Sequence, residues 1–520
     1  MLKRRALWIA LVVIVGAAFG AAACTDIMVG KLASTDGSVI TSHTCDGAYD
    51  SRLVVVPAAD HQPGGMAPVY KGIIRAYPQF PIERYKPMEK LGEIPEVPHT
   101  YKIFQIGYPF ANEYQVLIGE QTIGNSNKIA ANREQAIMYI EQLEIFGLQR
   151  GKTAREVVQI MGQLAEQYGY ADGGEGLAVA DENELWLFEC YAVGPLWTKD
   201  SGKPGAVWCA QRLPDDHVSV TCNKSRIGEV DPNDSANFMM SSNYKQVAID
   251  FGLYDPASGQ PFVWKYAYAD CRGKVDDRLW RVFSLLNPSG NWDHEQVANY
   301  PFSVKPDAKV SIQRVIELYH DQMAGTIYDA YENEAWYYTD SKGNRVKTPF
   351  ATPVVPSGMS SWLGISVPRK IAGNTCSYFF VGQCRDWLPA DIGGVLWFGL
   401  SAPATSTWIP VWVGVERVPV SWTTLDRKKF DRNSAWWAFE IADNLVNQRY
   451  GDLKPVLDAV HLPLQAEIDA MAPIIEQTAL TMYALDPALA RALLTDFTST
   501  TMLKAEAAYW KLMDELLFKL

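Results

Sequence analysis

The residue best placed for covalent chemistry is Cys24, because of what stands in front of it. Lys3, Arg4 and Arg5 precede a fourteen-residue apolar run from Ala6 to Phe19, and Ala21-Ala22-Ala23 then offers small residues where a signal peptidase cuts. The run falls short of the roughly 20 residues a membrane-spanning helix needs, so cleavage and export to the periplasm or the extracellular space are expected, with no stable membrane span in the mature form. Cleavage after Ala23 makes Cys24 the first residue of the mature chain. A cysteine there carries nucleophile and base together: the thiol has a reference pKa of about 8.5 and the α-amine about 7.7–8.0. A neutral amine takes the thiol proton while the thiolate attacks a carbonyl, and no separate histidine is required. Two other readings stay open. One is a non-catalytic surface lipoprotein acylated at Cys24, although Ala21 stands where a lipoprotein box usually has leucine; the other is a cysteine at a cleavage point by accident.

The elements that must position Cys24 are local. Thr25 to Lys31 reads as a short strand and Val39 to Ser42 as its return, with Ser34-Thr35-Asp36-Gly37 between them. Asp-Gly is a strong hairpin signal. A loop centred near Thr35 and Asp36 makes paired residue numbers sum to about 71–73 and puts residue 24 opposite 47–49. His43, Cys45 and Asp46 are thereby delivered close to Cys24. A carboxylate at Asp46 can hold or orient the terminal amine, although Asp46-Gly47 also fits an ordinary polar turn.

The composition narrows the class. Of 520 residues, 48% are hydrophobic and 20% charged, which excludes a disordered, collagen-like or coiled-coil chain. Lys+Arg 47 against Asp+Glu 59 gives a net charge of -12, the wrong balance for a nucleic-acid partner. The eight cysteines form no CxxC pair and no HExxH occurs, so neither a metal nor a cofactor is expected. With Cys24 set aside, seven cysteines remain for an oxidising compartment, and Cys376 and Cys384 are close enough in sequence for a hairpin disulfide.

Further along, residues 24–80 and 101–124 read as strands, separated by a long loop rich in proline (Pro78, Pro81, Pro87, Pro95, Pro98). A helix is expected from Asn132 to Phe146. Thr153-Ala154-Arg155-Glu156 is a capping box that starts a second helix, ending by Gly169. Leu177–Val193 and Ala206–Thr221 look like hairpins of a second sheet, and 307–325 like a helix closed by Gly325. Residues 350–422, with Trp362, Trp387, Trp397, Trp408 and Trp412, read as strands and loops. From Arg427 the apolar spacing is helical to Leu520, interrupted at Gly451, Pro463 and Pro487.

The order of motifs resembles a known family. Cys24-Thr25-Asp26, Val29-Gly30-Lys31, Ala33 to Ser38 and Asp46-Gly47 resemble the opening of the dipeptidase A and secernin-like cysteine dipeptidases, members of the N-terminal-nucleophile (Ntn) hydrolases. Further similarity runs through Asn112-Glu113-Tyr114, Glu120-Gln121-Thr122, Asp181 to Trp186, Arg212 to Asp216, Asn223, Arg226-Ile227, Arg278 to Leu286 and Tyr300 to Asp307. It covers roughly residues 24 to 440. The resemblance implies an α+β fold, the αββα sandwich of two antiparallel sheets, and cleavage of dipeptides through a thioester at Cys24. It implies Asp46 as the acidic partner of the amine, Asn223 as an oxyanion-side amide, Arg278 as a positive group ordering the site, and Thr122 as a second oxyanion donor. His43-Thr44 stands where relatives have Arg-Asn, which leaves His43 as a candidate substrate contact. Amidases of the bile-salt hydrolase and penicillin V acylase kind, also relatives, give the alternative substrate, a small acylated amine.

The expected organisation is a leader at 1–23, a catalytic domain at 24–425 and a helical extension at 426–520 that packs on the core or mediates homo-oligomerisation.

Overall fold

The computed structural model describes residues 24–71, 89–269, 271, 276–373 and 375–520. The expected leader and Pro78, Pro81 and Pro87 of the proline-rich loop lie outside the described residues. Among the described residues no helix is long and apolar enough to cross a membrane.

Two antiparallel sheets form the centre of a mixed α/β fold. The six-stranded sheet runs, edge to edge, Val218–Thr221, Asp26–Val29, Val39–Asp46, Cys376–Cys384, Val395–Leu400 and Ile409–Trp412. The eight-stranded sheet runs Phe238–Met240, Ala206–Arg212, Leu185–Ala192, Gly174–Ala180, Leu117–Ile123, Ala111–Asn112, Ile103–Gln105 and Val54–Val56. Strand 117–123 lies against strand 39–46. Between them the Glu120 N–H donates to His43 Nδ1 at 3.2 Å, and nearby the Tyr108 N–H, after strand 103–105, donates to the Tyr378 hydroxyl of strand 376–384 at 2.9 Å. Gly119 sits at this approach, where a Cβ would fall 2.5 Å from the Ser42 carbonyl oxygen and 2.9 Å from Asp26 Oδ1. Strands 39–46 and 376–384 are buried at every position. Cover on both faces explains why Val39–Asp46 shows no alternation of polar and apolar residues.

Helices cover the outsides. Ala154–Tyr168 lies over the eight-stranded sheet, where the Trp208 indole N–H donates to Glu166 at 2.7 Å. Ile312–His320 lies on the six-stranded sheet and sends the Tyr319 hydroxyl to the Thr25 carbonyl at 2.9 Å. The long helices Tyr450–Tyr483 and Pro487–Lys519 pack against the 376–412 strands, with the Trp412 indole N–H on Glu476 at 2.9 Å and the Thr498 hydroxyl on the Pro410 carbonyl at 2.9 Å.

Several expectations need correcting. Val29 pairs with Ile40 and Thr25 bridges Thr44, so paired numbers sum to 69 and residue 24 faces 45. The connection is not a tight Asp-Gly hairpin because residues 30–35 bond elsewhere: Leu32 N–H to Asp215, Thr35 N–H to Val310. The first helix spans Ile140–Arg150 rather than starting at Asn132, whereas the second follows its expected cap, Thr153 accepting from the Glu156 N–H at 3.2 Å. Residues 206–221 are not a hairpin. Ala206–Arg212 belongs to the eight-stranded sheet and Val218–Thr221 to the six-stranded one, so Leu213–His217 crosses between them. The helix near 307–325 is shorter, Ile312–His320. Pro463 does not break its helix. Tyr450–Tyr483 contains Pro455, Pro463 and Pro473 and is held by buried Leu453, Leu457, Leu464 and Ile468. Cys376 and Cys384 are the two ends of one extended strand and are free thiols. An eight-residue step at about 3.3 Å per residue separates them by roughly 26 Å, beyond any disulfide.

Candidate active site

Cys24 enters the first strand of the six-stranded sheet, fully buried between the layers. Its Sγ lies 3.5 Å from Glu120 Oε2. The thiol is held well above its ordinary pKa, first by its hydrogen bond with Cys45, then by burial and by the charges of Cys45, Asp46 and Asp26. Cys45 faces it across the ladder and is itself pushed up to about 11 by burial.

Arg278 ties the site together. It sits in the first turn of helix Asp277–Leu286, capped by Asp276, whose carboxylate accepts the Arg278 N–H at 3.1 Å. Its guanidinium donates to the Cys24 carbonyl at 2.9 Å, the Thr25 hydroxyl at 3.2 Å, the Asn223 side-chain oxygen at 3.0 Å and the Cys222 carbonyl at 2.6 Å. It also pairs with Asp276 at 3.2 Å. Burial pushes the Asp276 carboxyl up most strongly, but the charge and hydrogen bond of Arg278, with the Cys222 hydrogen bond and the Lys224 charge, together hold it below its ordinary value.

Asn223 follows strand 218–221 at a φ of 60°, a left-handed backbone that asparagine tolerates better than most residues. Its amide N–H donates to the Thr122 carbonyl at 2.8 Å. Thr122 Oγ1 stands 3.5 Å from Glu120 Oε1.

Asp46 ends the second strand, buried, with Oδ2 on the Arg369 guanidinium and Oδ1 without a hydrogen-bond partner. Burial raises its pKa, while Arg369 and then Arg278 pull it down. His43 is buried and pushed down to about 3 by desolvation, so it is neutral and supplies no positive charge in place of an arginine. Arg369 brings a guanidinium to this end of the strand instead. His43 Nδ1 accepts from the Glu120 N–H and lies 3.1 Å from Asp26 Oδ1. Asp26, raised well above its usual value by burial, has the proton to donate into that contact.

The structure therefore brings Cys24, Arg278, Asn223 and Thr122 into one hydrogen-bonded chain, with His43 and Asp46 on the strand beside it. Sequence reasoning missed Glu120, Glu175, Asp276 and Arg369 as members. Glu120 and Glu175 share a hydrogen bond, and burial raises both well above ordinary carboxyl values. A glutamate in the Leu117–Ile123 run, beside Gln121 and Thr122, was the available signal. Arg369 had none, since it reaches Asp46 across 323 residues. The three ligand-type atoms on Cys24, His43 and Cys45 lie within 4.8 Å of one another.

The chain is similar to known peptidases. A profile described as Peptidase family C69 matches residues 23–462. A protein named "Probable dipeptidase" from Latilactobacillus sakei is 26% identical over 484 residues, covering 90% of this chain and 88% of that protein. Another "Probable dipeptidase", from Salmonella dublin, is 26% identical over 76% of this chain and 81% of its own length. "Dipeptidase A" of Lactobacillus helveticus is 22% identical over 84% of this chain and 85% of its own.

Proposed function

Because the chain belongs to peptidase family C69, we propose that it is an exported dipeptidase of the Ntn cysteine class, on the αββα sandwich of that superfamily, with Cys24 as nucleophile. One observation carries this reading. Cys24 sits at the start of a strand between the two sheets, its carbonyl fixed by Arg278 at 2.9 Å, with no ready base beside its thiol. His43 is neutral and buried, and burial keeps the Glu120 carboxyl protonated well above the usual range. Removal of Met1–Ala23 creates the missing base, an α-amine on the same residue, near Asp46.

The steps then follow. The amine takes the thiol proton, and the thiolate adds to the carbonyl carbon of the dipeptide bond. The Asn223 side-chain amide and Thr122 donate to the oxyanion. The ammonium returns its proton to the leaving amine, the C–N bond breaks, and a thioester to Cys24 remains. Water, deprotonated by the same amine, hydrolyses the thioester and frees the second amino acid.

The test compares three samples in dipeptide hydrolysis: chain beginning at Cys24, the same chain with an uncleavable extension on Cys24, and Cys24→Ala. Only the first should turn over, with circular dichroism showing all three folded. Equal rates in the extended sample would remove the amine as base, and turnover by Cys24→Ala would remove the nucleophile. Acylated amines as competing substrates separate a dipeptidase from an acylase, and the mass of the mature N-terminal peptide separates a free Cys24 from a lipidated one.

A further inference from the structure

The face of the ladder that carries Cys24 also carries two other soft donors. Thr44 donates its N–H to the Thr25 carbonyl at 3.1 Å, so Cys24 and Cys45 are the next pair along the two strands. His43 and Cys45, two apart on one strand, share a face. Strand geometry thus places two thiols and an imidazole together. One ligand atom from each lies within 4.8 Å of the others, and all three residues are buried. The imidazole is fixed on one side by the Glu120 N–H and Asp26 at Nδ1, while Nε2 has no hydrogen-bond partner. A neutral, oriented histidine beside two thiols is a poor base but a good ligand.

We propose that Cys24, His43 and Cys45 bind one soft transition-metal ion, Zn2+ being the commonest that takes two thiolates and an imidazole. Both thiols lose their protons to solvent as two metal–sulfur bonds form. Because Nδ1 accepts from the Glu120 N–H, the neutral ring carries its proton on Nε2; ligation through Nε2 releases that proton to solvent while Asp26 passes its own to Nδ1 and the Glu120 N–H gives up its acceptor, and no electron is transferred. Three protein ligands leave a fourth tetrahedral position, which water or the α-amine of a mature Cys24 can fill. The raised thiol values are those of the metal-free pair; a bound cation reverses them. Occupancy withdraws the Cys24 sulfur, so the ion acts as a reversible block on the site. That consequence rests on Cys24 being the nucleophile, whereas the binding itself does not.

The experiment uses chain beginning at Cys24, held reduced and stripped of metal with a chelator, and titrates it with Co2+ as a coloured stand-in. A near-ultraviolet thiolate-to-cobalt charge-transfer band should saturate at one ion per chain and vanish when Zn2+ displaces it. Cys45→Ser and His43→Gln should each weaken binding at least tenfold. Zn2+ should also shield Cys24 and Cys45 together from alkylation in the native protein, read peptide by peptide, a measurement that needs no variant to fold. A wild-type titration with no charge-transfer band, a Cys45→Ser protein that binds as tightly as wild type, or equal alkylation with and without Zn2+ would overturn the site. Dipeptide hydrolysis followed in parallel should fall with occupancy and return with chelator. Persistent hydrolysis by the fully loaded protein would count against Cys24 as nucleophile while leaving the metal site standing.

Discussion

Replacing Arg278 by methionine keeps much of the side-chain volume and removes a charge with its five N–H donors. Four acceptors lose a partner: the carbonyls of Cys24 and Cys222, the Thr25 hydroxyl and the Asn223 amide oxygen. Asp276, with a side chain only 8% exposed, is left as an unpaired buried carboxylate. Breaking a buried pair from one side costs about 3–5 kcal/mol, most of it from the stranded charge. A second change, Asp276→Asn, removes that charge, so the double variant should recover at least about 1.5 kcal/mol of the loss, the lower end for a hydrogen bond to a charged group. The sign with pH is fixed as well. In the wild type Asp276 is held below its ordinary pKa, so its stabilisation is present above the unfolded value of about 3.9 and is lost as pH falls through the folded one. Without Arg278, burial, the largest influence on Asp276, is opposed only by the Cys222 hydrogen bond and the Lys224 charge, so the folded value should rise above about 3.9 and the penalty should grow from about pH 4 to neutrality. Urea midpoints from tryptophan fluorescence should therefore separate Arg278→Met from Arg278→Met/Asp276→Asn widely at pH 7 and barely near pH 4. Because the two variants are compared with each other, no absolute unfolding free energy is needed. Both should lose kcat by orders of magnitude, since Cys24 and Asn223 lose their common anchor. A double variant no more stable than the single at pH 7, or a gap that ignores pH, would refute the reasoning.

Three further outcomes are expected. Gly119→Ala puts a methyl 2.5 Å from the Ser42 carbonyl at the sheet interface and should cost about 1–3 kcal/mol in denaturant midpoint, an unchanged midpoint showing that the sheets lie farther apart. Glu120 is raised by burial and then by Cys24, Glu175 and Glu144, so the wild type loses stability as pH rises above the unfolded value of about 4.3. Glu120→Gln should accordingly gain on the wild type in thermal melts between pH 5 and 9, and a gain that shrinks with pH would contradict the protonated carboxyl. Cys376 and Cys384 should both alkylate in denaturant without reductant, and a peptide joining them by a disulfide would overturn the strand assignment.

What could be read from the sequence was local. The small residues before Cys24 and the Thr153 cap are encoded by neighbours in the chain, and the capped helix Ala154–Tyr168 is found where that cap places it. The motif order led to a cysteine dipeptidase family, and the family match agrees. The first hairpin's register was misjudged because Ser34-Thr35-Asp36-Gly37 looked self-sufficient, while its neighbours bond to Asp215 and Val310, far away in sequence. The same holds for Ala206–Thr221, where turn residues between two apolar runs cannot say whether the second run returns to the same sheet. Proline counted as a helix breaker in 450–483 because its cost is local, while the apolar face that offsets it is tertiary. The site's electrostatics were the least legible part. Arg369 and Asp276 have meaning only through their partners, and Glu120 became noticeable only once its whole strand was found buried.

Four groups around Cys24 share one property, which bears on where activation comes from. Cys45 is a thiol pushed up to about 11, His43 a ring pushed down to about 3, and Glu120 and Asp26 carboxyls raised by burial. Each is held in its uncharged form by the same absence of water. A site that dry cannot ionise a thiol by proton transfer to any of them without placing a charge where burial opposes it. Arg278 does not help directly, because its donors are already committed to the Cys24 and Cys222 carbonyls, Thr25, Asn223 and Asp276. A base created at the end of the chain differs in kind. Under the proposed function it is an α-amine with a reference pKa of about 7.7–8.0, part of which is neutral near pH 7–8 and able to take the thiol proton. Because that amine is carried on the nucleophile's own residue, a free amine added to a chain extended at Cys24 should not restore dipeptide hydrolysis, and restored hydrolysis in that assay would refute the argument.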